Sequence, residues 1–115
     1  MKTTQAQFRA FKEAFLEMRD KLGLQHYTLY FEVKPISDAF AQIRVDEEAC
    51  VATITMSAEL SREEMQEFNP ASTGRHECLH MLTHAMYNLA TMRYLTPDEI
   101  MREWERLVVR LEGVV

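Results

Sequence analysis

The sequence predicts one α+β domain over residues 1–115, and three observations carry that reading. Residues 26–33 alternate apolar and polar with a period of two, and 39–45 and 49–56 are two further β-rich runs. The stretch before Gly23 and nearly everything beyond Ser61 repeats with a period of three to four. Capping and turn residues stand at the joins, so the order reads α-β-β-β-α-α-α.

The first helix places Phe8, Phe11, Phe15, Met18 and Leu22 on one face. Thr4 and Gln7 have capping-box spacing at its start, and Gly23 is its stop. "HYTLYFEV" (26–33) turns Tyr27, Leu29, Phe31 and Val33 one way and His26, Thr28, Tyr30 and Glu32 the other. Pro35 and the Ser37-Asp38 pair end it. "AFAQIRV" (39–45) and "ACVATITM" (49–56) flank "DEE" and read as a hairpin, with Ala41, Ile43 and Val45 facing away from Gln42 and Arg44. The expectation is a three-stranded, mostly antiparallel sheet with one buried face. Ser61 and Glu64 cap a short helix that stops near Asn69-Pro70. A longer helix then runs from about residue 71 into the low 90s. Thr96, Pro97 and Glu99 supply N-cap, N1 proline and capping-box acid for the last helix.

Composition narrows the partners. The chain is 47% hydrophobic and 27% charged, the profile of one globular domain with one core. A formal net charge of −5 argues against nucleic acid. No window approaches the roughly 20 apolar residues of a membrane span, and the polar amino terminus lacks a signal peptide's apolar region. Cys50, in the third β-run, and Cys78 have no paired spacing and read as free thiols of a reducing compartment, so a cytoplasmic location is expected. The eight methionines, Met81, Met86, Met92 and Met101 among them, suit adaptable packing in a core or at the interface of a homo-oligomer.

The chemistry is concentrated in "STGRHECLHMLTHAMYNL" (72–89), which holds three of the four histidines. His76 and His80 are four apart, so on a helix their imidazoles share a face and can grip one metal ion. Glu77 lies about 100° around from His76, placed to reach a metal-bound water rather than the metal. A lone histidine on a helix face is ordinarily a packed or solvated side chain; two at this spacing with the intervening glutamate spell H-E-x-x-H.

"TGRHECLHML" resembles the signature of the zincin metallopeptidases. Gly74, Cys78, Leu79 and Met81 are uncharged, Leu82 is hydrophobic, and no proline intervenes. The order of helix, small sheet, H-E-x-x-H helix and returning helix resembles a minimal zincin domain of the kind found in phage and prophage genes. The resemblance implies a zinc-dependent peptidase in which His76 and His80 hold zinc and Glu77 is general base. It implies a peptide or protein substrate lying extended along the sheet's edge strand, for which "CVATITM" is the candidate. The competing expectation is a zincin-fold binding or structural module without catalysis, such as a phage accessory protein.

A catalytic zinc takes three protein ligands. His84 continues the series, but eight residues of helix span about 12 Å, so His76 and His84 meet one ion only fully stretched. The histidine-rich zincin branch has its third histidine six residues after the second; here that position is Met86. The glutamate-ligated branch draws its ligand from the returning helix, where Glu99, Glu103, Glu105 and Glu112 are available. Glu99 has the branch's spacing but also fits the capping box. Glu103 falls outside the arc of Ile100, Trp104, Leu107 and Leu111, whereas Glu105 falls within the wider arc of Met101, Val108 and Val109. "ERLVVRLE" (105–112) resembles the closing helix of the small phage-type zincins, which gives Glu105 the ligand role, with Glu99, Glu103, Glu112 and His84 as alternatives. The aspartate that the branch often has four residues later is Val109 here. Tyr87, Tyr94, Tyr30, His84 and His26 are the candidates for stabilising an oxyanion.

Overall fold

A computed structural model of the chain describes residues 1–92 and 95–114. Its elements are α1 (Gln5–Leu22), β1 (Thr28–Lys34), β2 (Ala41–Asp46), β3 (Val51–Ser57), α2 (Arg62–Glu67), α3 (Pro70–Thr91) and α4 (Pro97–Glu112). The α+β order expected from the sequence is the observed one, and no described helix is long and apolar enough to cross a membrane.

The local signals act where they stand. The Thr4 side chain accepts from the Gln7 backbone N–H at 3.1 Å, and Gln7 accepts from the Thr4 backbone at 2.8 Å, closing the capping box of α1. Gly23 ends α1 at φ 69°, the left-handed conformation that glycine adopts without a Cβ penalty. Ser61 and Glu64 close the same box on α2. Asn69 caps α3 through the Ser72 N–H, with Pro70 inside the first turn. At α4, Thr96 accepts from the Glu99 N–H at 3.2 Å.

The sheet corrects two expectations. Its order is β1-β3-β2, with β1 parallel and β2 antiparallel to β3. It is therefore mixed rather than mostly antiparallel, and β3, the expected edge strand, is the central one. Alternation tells which face of a strand is buried but not which strand lies beside which. The six-residue connection after Lys34 carries the chain past β3's place, and the short turn after Asp46 brings β3 back between its neighbours. Central position explains why Ala52, Ile54 and Met56 on one face and Thr55 and Ser57 on the other are all buried. Cys50 also lies outside the strand: it sits in the β2–β3 turn at φ 54°.

One face of the sheet packs on α1 and α3. Phe11 and Phe15 are fully buried, and Phe15 meets Phe31 edge-to-face with ring centroids 5.3 Å apart. Cys78, Met81 and Leu82 carry α3 into the same core. The two helices approach so closely that a Cβ on Gly74 would collide with the Phe11 carbonyl oxygen. That contact sets the rotation of α3 and hence the direction of its histidines.

The last helix sits differently from the sequence expectation. Its only buried residue is Glu103; Trp104 is 57% exposed, and of the arc Ile100–Trp104–Leu107–Leu111 only Leu107 packs against the core. One polar anchor to α1, Arg110, turns the helix, and an ion pair lies within α4 itself. Arg110 Nη1 donates to the Leu22 and Gly23 carbonyls at 2.7 and 2.8 Å, capping the end of α1, and Arg106 Nη1 donates to Glu103 at 2.9 Å. Glu103, Leu107 and Arg110 share one face at helical spacing, so satisfying Arg110 draws that face inward.

Both cysteines are free thiols. Burial pushes Cys78 up to about 12, whereas Cys50 is partly exposed. Because the thiolate is the nucleophile, iodoacetamide at mild alkaline pH should modify Cys50 and leave Cys78 intact until the protein unfolds. Mass spectrometry of native and urea-treated samples checks this; a doubly modified native protein would contradict the buried placement.

Candidate metal centre

On α3 the core-facing residues Gly74, Glu77, Cys78, Met81 and Leu82 fill one arc, and His76 and His80 stand on the solvent side of its edge. Their rings lie edge-to-face with centroids 4.7 Å apart, and the two Nε2 atoms are 3.1 Å apart. Without an ion, this is a hydrogen bond from one imidazole to the other. It is also close to the roughly 3.3 Å between two nitrogens on a tetrahedral zinc with bonds of about 2.0–2.1 Å. A separation this near the zinc value, on two imidazoles four residues apart on one helix, is compatible with their sharing a divalent ion.

Glu77 is 6% exposed. Burial holds its carboxyl above the ordinary value of 4.5, with the charges of His80 and then His76 pulling the other way. A carboxylate so placed is a better proton acceptor than one in water. It shares a cavity of about 310 Å³ with His76, Ser72, Thr73 and Ala39–Ala41 at the start of β2. β2 pairs with β3 on one side only among the described residues, so the free sheet edge beside the histidines is β2.

At the other end of β2, His84 Nδ1 donates to Glu47 Oε1 at 2.9 Å, each side chain about a quarter exposed (23% and 25%). Together they line a cavity of about 600 Å³ with Arg44 and Asn88. The carboxylate holds Nδ1–H as donor and leaves Nε2 available. Glu47 has no signal in the sequence that ties it to His84, 37 residues away.

The glutamates of α4 are not brought to His76 and His80. Among the described residues no three His, Cys, Asp or Glu side chains are grouped to hold a metal. Glu105 is exposed and lines a cavity of about 660 Å³ with Asp20, Lys21, Arg102 and Val109, against the end of α1. Glu103 is the inward one, reversing the order expected from the arc, because α4 is turned toward Arg110's contacts. It lines a cavity of about 150 Å³ with His26, Tyr27 and Arg106. Of the oxyanion candidates, His84 is on the histidine helix, Tyr87 is exposed with its ring 6.0 Å from His84, and Tyr30 is on β1, with β3 between it and the β2 edge. His26 stacks against Tyr27 at 4.7 Å, and Tyr94 lies outside the described residues.

No protein-family model, no curated protein and no solved structure matches the chain.

Proposed function

We propose that the chain is a zinc-dependent, peptidase-like hydrolase of zincin type, with His76 and His80 as metal ligands and Glu77 as general base. The observation that carries the reading is the convergence of the two Nε2 atoms at 3.1 Å beside a buried carboxylate. A zinc ion held there would supply Lewis acidity toward water and a scissile carbonyl. Glu77 takes the proton from the attacking water and returns it to the leaving amine. Its burial raises its affinity for the proton in the first transfer. An extended peptide adds to the free edge of β2, where backbone groups of Ala41–Asp46 are open to pair, and passes the histidines at one end and His84 at the other.

The position of Glu105 favours a second reading. With that glutamate facing Lys21 and Arg102 across another cavity, the pair could hold metal in a binding or structural module without turnover.

The test is metal content after dialysis, followed by peptide hydrolysis. Near one zinc per chain is expected, lost in His76→Ala and in His80→Ala and kept in Glu105→Ala. Zinc that stays in both histidine variants sinks the proposal; zinc present without hydrolysis leaves the module.

A further inference from the structure

We infer that the exposed apolar stripe of α4 is a dimerisation surface, covered by the same helix of a second copy of this chain. Ile100, Met101, Trp104, Val108 and Leu111 are 42%, 52%, 57%, 41% and 42% exposed. They fall within an arc of about 100° on the helix, the width of a core-facing stripe. Amphipathic helices in globular domains bury that face; here the helix buries Glu103 instead. The radius of gyration, 15.5 Å, exceeds the roughly 13 Å expected of a compact chain of this length, and the long axis is 48 Å.

Area and geometry select the occupant. The five side chains expose on the order of 500 Å² of apolar surface, at the upper end of what a monomer carries. Pairing two copies removes on the order of 1,000 Å² from water through these residues alone, about the threshold of a specific interface. The stripe is centred on the middle of the helix, so one two-fold axis makes it self-complementary. In an antiparallel crossing Trp104 lies over the partner's Val108, a large side chain over a small one, and Met101 lies over the partner's Leu111. A lipid surface fits poorly, because Asp98, Glu105 and Glu112 border the stripe at seven-residue spacing and repel anionic headgroups. In the two-fold arrangement the Glu105 side chains of the two copies are the charges nearest the axis. Added salt should therefore strengthen association, opposite to its effect on a basic partner.

The full chain tests this by sedimentation velocity from low to high micromolar concentration. Trp104 is the only tryptophan, so its emission reports burial of the stripe. The expected result is a reversible dimer with a micromolar dissociation constant. It should tighten with salt, and its population should track a blue shift of Trp104. Val108→Asp and Met101→Asp should each weaken it at least about 100-fold, since each buries an unpaired carboxylate. Circular dichroism should show the monomer fold unchanged, because both positions are exposed in it. A chain that stays monomeric throughout overturns the inference. So does a dimer that neither variant weakens, or a blue shift seen only with zwitterionic phosphatidylcholine vesicles.

Discussion

Gly74→Ala should destabilise the protein by about 2 kcal/mol and lower its Tm by roughly 8 °C, although alanine is the better helix former. Replacing an interior glycine in an exposed helix gains up to about 1 kcal/mol. Here the new methyl would collide with the Phe11 carbonyl oxygen and press on the Phe15 backbone N. These are backbone atoms of α1, so no side chain can rotate away; the helices must part, and forced overpacking costs about 1–3 kcal/mol or more. Gly113→Ala is the control: its Cβ meets only the Arg110 carbonyl at 3.4 Å, and its φ of −67° suits any residue. That change should be nearly neutral. Thermal melts of both variants decide it. Equal stability of Gly74→Ala and wild type would mean that α1 and α3 are not in this contact. Because the contact sets the rotation of α3, Gly74→Ala should also weaken zinc retention, which Gly113→Ala should not.

Glu77→Gln should leave zinc content unchanged and lower peptide hydrolysis by about 10²–10⁴-fold, the range for loss of a general base. Glutamine keeps the shape and the burial but cannot take a proton. The same substitution has a second readout in metal-free protein. The carboxyl is raised in the folded state, so folding favours its protonated form. That contribution is full below the ordinary value of 4.5 and is lost as pH rises through the raised one. At neutral pH the buried charge costs stability and Glu77→Gln should raise the Tm, with the gain vanishing below about pH 4.5. Hydrolysis unaffected by the substitution would remove Glu77 from the chemistry. A raised Tm with no hydrolysis in wild type would leave Glu77 as a buried carboxylate on a helix.

Much of this was legible in the sequence because it depends on neighbours along the chain. The capping boxes at Thr4 and Ser61, the stop at Gly23, the alternation of β1 and β2 and the i, i+4 placement of His76 and His80 all follow from three- and four-residue geometry or period two. Tertiary structure alone decided the rest. Strand order depends on how the 35–40 connection crosses the sheet, so β2 rather than β3 became the open edge. The partner of His84 is Glu47, from a turn that pairing in the sheet brings near. The orientation of α4 illustrates the reason most directly. Its periodicity marked an apolar face, but periodicity records only what lies on one side of a helix, not which side the fold uses. Arg110, reaching the exposed carbonyls at the end of α1, turned Glu103 inward and left Trp104 outside. Satisfying the free carbonyls of a distant helix end is a long-range requirement, and no local pattern encodes it.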